Sequence, residues 1–282
     1  MFQASEAKGY KRSYFFELFQ LYLEIFNSII TFTKQFHTQM FKSRSFYLIL
    51  LLSLTFAACK KSDVDDSKDY VTLGTSAHDL LASSTYSSLI IQIQYMPGYQ
   101  PDNASTDSLK NFLNRYLNKR EGIKLIEGPI PSSGKSTLSL NEVVSIEKKY
   151  RTVLTGNNEI AVHILITDGN YETSGTFGTA YWNTSFCLFG KTVWDNSGTA
   201  GEITHSQLLT VLFEHEFGHL LGLVNQGSPM QTNHVDAANG AHCSNKNCLM
   251  HYDIETASNL SNSSLPSLDA NCIADLKANG GK

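Results

Sequence analysis

The stretch Phe213-Glu214-His215-Glu216-Phe217-Gly218-His219-Leu220-Leu221-Gly222-Leu223 decides how the rest of the chain is read. It contains H-E-x-x-H. On a helix, residues i and i+4 share a face one turn apart, so His215 and His219 can offer two imidazole nitrogens to one zinc ion. Glu216 lies about 100° round the helix, where it can hold a water at the metal and take its proton. The apolar run Leu208, Leu209, Val211, Leu212 and Phe213 leads into the motif, and Thr204 with Gln207 three later forms a capping box. Gly218 removes bulk beside the site. Gly222 can end the helix in a left-handed turn. Two surface histidines on a core helix are the plainer alternative.

Working outward, the H-E-x-x-H-x-x-G run resembles the metzincin zinc peptidases. In that family a third ligand follows a turn after the glycine, and a methionine-containing turn lies beneath the metal. Asn225 stands three residues after Gly222, where that third ligand would fall. Further on, His242-Cys243-Ser244-Asn245-Lys246-Asn247-Cys248-Leu249-Met250 is similar to the H-C-x-x-x-x-C-x-M stretch of archaemetzincins, reached here after an insertion of about 17 residues. The resemblance implies an α+β zinc peptidase domain with a twisted mixed sheet, a zinc-binding helix, a Met-turn at Met250 and a C-terminal helix. It gives Tyr252 the role of a tyrosine that swings toward the metal or the transition-state oxyanion. It makes the segment 175–182 an edge strand along which a peptide pairs, with Gly178 and Ala180 small enough for close approach; an ordinary sheet edge is the alternative. The archaemetzincins' later C-x-x-C pair is missing, which implies one zinc ion rather than two.

Three residues compete for third ligand. Asn225 has the spacing but a neutral amide. His234 has Asp236 nearby to orient its ring. His242 directly precedes Cys243 and is preferred, with His234 as the alternative. The inserted loop can be absorbed if its ends stay close, because closure entropy grows slowly with length.

The rest of the body alternates strands and helices. Strands are expected at 89–96, 123–126, 162–166, 176–182 and 186–193. Helices are expected at 108–120, 205–221 and 266–278, with a loop-rich region over 223–262. The run Ser133-Gly134-Lys135-Ser136-Thr137 lacks the earlier glycine of a phosphate-binding loop, since position 129 is proline, and reads as a turn.

The front of the chain is different material. Ten of the 16 phenylalanines lie in residues 1–58, and without that segment the net charge moves from −4 to −7. From Met40, Lys42 and Arg44 precede an apolar run over 46–58 that ends at Cys59, the pattern of a secretory signal. Thr55-Phe56-Ala57-Ala58-Cys59 resembles a bacterial lipobox, which implies a lipidated Cys59. Residues 1–39 then read as an upstream extension translated in error, or else as an interfacial amphipathic helix. The expected organisation is 1–39 extension, 40–58 signal peptide, 59–84 lipid-anchored tether and 85–282 peptidase domain.

The chain has 282 residues, 41% apolar and 17% charged, enough for a packed domain and without the basic clusters of a nucleic-acid binder. Export permits disulfides, and Cys243–Cys248 would close a short loop beside His242. That leaves Cys187 and Cys272, the latter also readable as a buried free thiol. The function expected is zinc-dependent peptide-bond hydrolysis through a metal-activated water, with Glu216 as general base. The partners expected are a peptide or protein substrate and the membrane, through Cys59. The protein would be a monomer in the bacterial cell envelope, outside the cytoplasm. The rival is a surface lipoprotein that keeps the zinc scaffold only for binding.

Overall fold

The computed structural model describes residues 66–199, 203–255, 260 and 264–282, with a few helical residues at 24, 25 and 27–31. The chain divides into two units, Met1–Asp63 and Val64–Lys282. In the first, Ile25, Ile29 and Ile30 are exposed. The expected signal segment, Cys59 and the tether residues up to 65 lie outside the described residues; the rest of the expected tether, 66–84, belongs to the second unit, where Asp69, Leu80 and Leu81 are buried. Among the described residues no helix is long and apolar enough to cross a membrane.

The second unit is a mixed α/β domain. Its elements run α1 (Ala77–Leu81), β1 (Ser88–Tyr95), α2 (Asn103–Tyr116), β2 (Gly122–Pro129), β3 (Thr137–Leu138), α3 (Leu140–Tyr150), β4 (Glu159–Thr167), β5 (Asn170–Tyr171), β6 (Gly178–Trp182), β7 (Ser185–Phe189), α4 (Gly190–Asp195), α5 (His205–Leu220) and α6 (Ala270–Ala278). The main sheet has the order β2-β1-β4-β7-β6. Four strands are parallel, and β6 pairs antiparallel with β7 to form one edge. Parallel neighbours need crossovers. Here α2 joins β1 to β2, and α3 lies between β2 and β4. β4 is buried at every position after Glu159, as expected of a central strand covered on both faces.

Several boundaries differ from those expected. α2 starts at Asn103, not 108, because the Asp102 side chain accepts the Ser105 amide and caps the helix there. The segment 186–193 is not one strand: β7 ends at Phe189 and Gly190 opens α4. α6 begins at Ala270, where Asp269 accepts the Cys272 amide, so Pro266 lies outside it. α3 was not expected at all, although Ser139 and Glu142 form a capping box at its start.

Two features fix α5. Phe186 of β7 packs edge-on to Phe217 and tilted against Phe213, both on α5. After α5, Gly222 has φ 73°, and Val224 and Asn225 follow at 53° and 63°. This left-handed reversal sends the chain away from the helix; a side chain on Gly222 would also overlap the Ser228 amide and Ala77. Behind the sheet, Arg151 pairs with Asp69 at 3.1 Å and Glu147 at 2.9 Å, all buried. It also donates to the Ala161 carbonyl and to the Thr184 and Ser185 hydroxyls. This network ties the turn Asp66–Asp69 to β4 and the end of α3.

Candidate metal centre and active site

His215 and His219 project from the last two turns of α5, and both are buried. Their Nε2 atoms lie 3.2 Å apart. Two ligand nitrogens of a tetrahedral zinc site, each at about 2.0–2.1 Å from the ion, would be separated by about 3.3–3.4 Å. His242 completes the group: its ring stacks on His215 with centroids 5.5 Å apart and stands edge-on to His219 at 5.1 Å. His215, His219, His242 and Glu255 place one ligand atom each within 4.8 Å of one another.

Backbone carbonyls set the tautomers. His215 Nδ1 donates to the Leu249 carbonyl at 2.7 Å, and His242 Nδ1 donates to the Asn239 carbonyl at 2.8 Å. In its neutral form each of these two rings therefore turns an Nε2 lone pair toward the shared centre, the arrangement metal-binding histidines use. Burial holds His215 down to about 4, and holds His219 well below the usual histidine range, so both rings are neutral. Burial also pulls His242 down, but the hydrogen bond to Glu255 and the Asn239 carbonyl outweigh it and leave this ring above its ordinary value. Three convergent imidazoles with tautomers fixed in this way fit a zinc ion.

The inserted loop delivers His242 by folding on itself. Val235 bridges antiparallel to Cys243, the Asp236 amide donates to the His242 carbonyl at 2.7 Å, and the Cys243 amide donates to the Met250 carbonyl at 2.7 Å. Met250 is fully buried, and a side chain on Gly218 would overlap its sulfur. The glycine in H-E-F-G-H thus makes room for the methionine. Tyr252 begins a short 3-10 turn, Tyr252–Ile254, and its ring stands edge-on to His242 with centroids 5.4 Å apart.

Glu216 points to the other side of the helix face, toward β6. Among the described residues neither of its carboxylate oxygens has a hydrogen-bond partner. Burial, then the negative charge of Glu255, push its carboxyl well above the usual carboxylate range. The Ala180 amide pulls the other way but falls short of a hydrogen bond. A side chain at Gly178 would overlap Glu216 Oε1, so the small residue on β6 admits the carboxylate.

The structure separates the other candidates from this centre. His234 is not beside His215 and His219. Its Nε2 meets Asp275 Oδ2 at 2.8 Å, and its Nδ1 lies 3.3 Å from Cys243 Sγ. The carboxylate that orients it is Asp275 on α6, not Asp236. Asn225 sits exposed in the reversal after α5, whereas His215 and His219 are buried. The expected Cys243–Cys248 disulfide is not formed: Cys187, Cys243, Cys248 and Cys272 are free thiols. Cys248 Sγ lies 3.6 Å from Cys272 Sγ, and Cys243 Sγ lies 3.4 Å from Asp269 Oδ2. His234, Cys243, Asp269 and Cys272 form a second group able to hold a metal, with Cys248 adjoining it. Sulfurs on a tetrahedral zinc would sit about 3.8 Å apart. The hydrogen bond with Cys272 lowers the Cys248 thiol to about 7, while burial pushes Cys243 up to about 12. The missing C-x-x-C, from which a single ion is expected, does not leave the described residues with a single donor set. Cys272 and His234 come to the Cys243–Cys248 loop from elsewhere in the chain and make a second donor set.

Sequence reading missed Glu255, Asp275 and the carbonyls of Leu249 and Asn239. The carbonyls carry no residue-type signal, and both carboxylates reach their histidines only through the folded backbone.

No family model matches the chain, and no curated protein matches it. Among solved structures it is similar to archaemetzincin from Methanopyrus kandleri, with 15% identity over 68% of this chain and 96% of that one, TM-score 0.46. It is also similar to metalloproteinase-II from Bacteroides fragilis, with 16% identity over 70% of this chain and 54% of that one, TM-score 0.39. The mixed sheet, histidine helix, buried methionine turn and C-terminal helix that the motifs imply are all present in the structure.

Proposed function

We propose that this chain is a zinc metallopeptidase whose centre is His215, His219 and His242, with Glu216 as general base. The observation that carries the reading is a buried carboxylate without a hydrogen-bond partner among the described residues, on the helix whose next turn closes a three-imidazole group. A buried carboxylate without a hydrogen bond costs free energy, and a scaffold kept only for binding has no use for one.

Bound zinc would supply Lewis acidity and make a water acidic enough to lose a proton near neutral pH. The protein's own groups do the rest. His215 and His242 hold their Nε2 atoms in place through their Nδ1 bonds to Leu249 and Asn239. Glu216 accepts the proton of the attacking water on its free oxygens and returns it to the leaving amine. β6, an edge strand, offers backbone groups to an extended peptide, and Gly178 and Ala180 keep that edge clear of bulk. Tyr252 is within reach of His242 and serves the developing oxyanion. A second zinc ion, held by Cys243, Cys248, Cys272 and His234, is structural in this reading.

The signal pattern over 40–58 and the lipobox-like run place the protein, in the same proposal, on a lipid anchor at Cys59 in a bacterial cell envelope. It would act there as a monomer on peptides or proteins.

The test is metal analysis of the full chain together with a peptide-library cleavage assay. Glu216→Ala should keep its zinc and lose cleavage by a factor on the order of 10²–10⁴. Unchanged turnover would remove Glu216 from the mechanism. Mass spectrometry of the membrane fraction should find a lipid-modified peptide beginning at Cys59; an unmodified Cys59 inside a longer peptide would end the anchoring proposal.

A further inference from the structure

Glu255 is the one acidic side chain in the histidine group, and neither the H-E-x-x-H motif nor the Met-turn accounts for it. Its Oε1 lies 3.0 Å from His242 Nε2 and 3.9 Å from His219 Nε2. Because His242 Nδ1 already donates to Asn239, a neutral His242 presents a lone pair to this oxygen. Two acceptors 3.0 Å apart need a cation or a proton between or beside them. The four ligand atoms all lie within 4.8 Å of one another, so Oε1 stands beside the three imidazoles as the fourth donor of the group. In a catalytic zinc site the fourth position is kept for water and substrate.

We propose that Glu255 is an internal fourth ligand that caps the metal in the resting protein, and that substrate must displace it. The inference rests on the peptidase reading above. A second contact links the cap to substrate entry. The Glu255 carbonyl accepts the Phe177 amide at 3.3 Å, immediately before β6. The turn that carries the carboxylate is thus tied to the strand that would receive the peptide. A peptide adding to β6 meets that tie and the carboxylate together, so binding along the strand and uncapping of the metal are one event.

The cap makes the open form a minority, and a ligand that needs the open form binds more weakly by that fraction. The probe is acetohydroxamate, a small bidentate chelator, titrated calorimetrically into the zinc-loaded full chain. Glu255→Gln should bind it on the order of tenfold more tightly than the parent. Glu255→Asp, which keeps the charge and shortens the reach, should fall between. With cobalt in place of zinc, the visible absorption of the resting protein should differ between parent and Glu255→Gln, and acetohydroxamate should bring the two spectra together. Equal affinities and equal resting spectra would overturn the proposal. So would a Glu255→Gln protein that loses metal affinity while its acetohydroxamate affinity stays at the parent value, because Glu255 would then only orient His242. If the parent binds metal but His219→Ala leaves the cobalt spectrum and acetohydroxamate binding unchanged, the peptidase reading itself fails, an outcome distinct from failure of the cap.

Discussion

The carboxylate of Glu216 fills the space that a side chain at Gly178 would need, so the first residue of β6 must be glycine for Glu216 to sit where it does. Leu188 closes the other side of the same space. Gly178→Ala should therefore displace Glu216 rather than the strand. The expected outcome is a folded, zinc-containing protein whose peptide cleavage falls at least tenfold, with stability lowered by about 1–3 kcal/mol from overpacking. Cleavage rates and metal content measured on the same preparation check it. Retained activity would mean that β6 yields instead.

Gly218 and Met250 form a second steric pair, beneath the metal group. Gly218→Ala would press a methyl onto the methionine sulfur and, through it, onto Leu249, whose carbonyl fixes His215. Zinc affinity should fall while Glu216 stays in place. Met250→Ala in the Gly218→Ala background should restore part of the loss, since it removes the clashing atom. A double-mutant cycle on zinc affinity measures that coupling.

Two donor sets predict two metal equivalents per chain by elemental analysis. His219→Ala should release one, and Cys272→Ser the other. Chelation should lower the unfolding midpoint, because binding to the native state alone adds directly to stability. One equivalent in the parent, lost only in His219→Ala, would show that the thiol group holds no ion.

Asp69→Ala tests the network behind the sheet. Without Asp69, Arg151 still pairs with Glu147, but the Thr155 amide and hydroxyl lose their buried acceptor, which should cost about 1–3 kcal/mol for each unsatisfied group. Urea unfolding measures it. Zinc content of the folded fraction should not change, because Asp69 touches neither metal group.

How much of this was legible in the sequence follows from how local each signal is. The α5 capping box, the apolar entry and H-E-x-x-H lie within sixteen consecutive residues, so the helix and its two histidines could be read directly. The strands β1 and β4 announced themselves by apolar runs. α3 carried a capping box at Ser139 and Glu142, yet its apolar stripe is thin, with Val143 its one fully buried apolar residue. The division of labour between His234 and His242 was not local. It depends on the Val235–Cys243 bridge and on Asp275, which lies 41 positions from the histidine it holds. Cys272 could be seen to share an apolar helix face, but not that the face would carry it to Cys248. Glu255 had no motif at all.

The thiol group sets an order of events. Cys248 and Cys272 sulfurs stand 3.6 Å apart while still unbonded. Both can give electrons in two ways, to a metal or to an oxidant, and the two fates exclude each other. An oxidant that arrives first would weld α6 to the methionine loop by a disulfide and leave Cys243 and His234 with too few companions to keep an ion. A metal that arrives first withdraws the thiolates from exchange chemistry. The same side chains can therefore serve a cross-link or an ion, and not both at once.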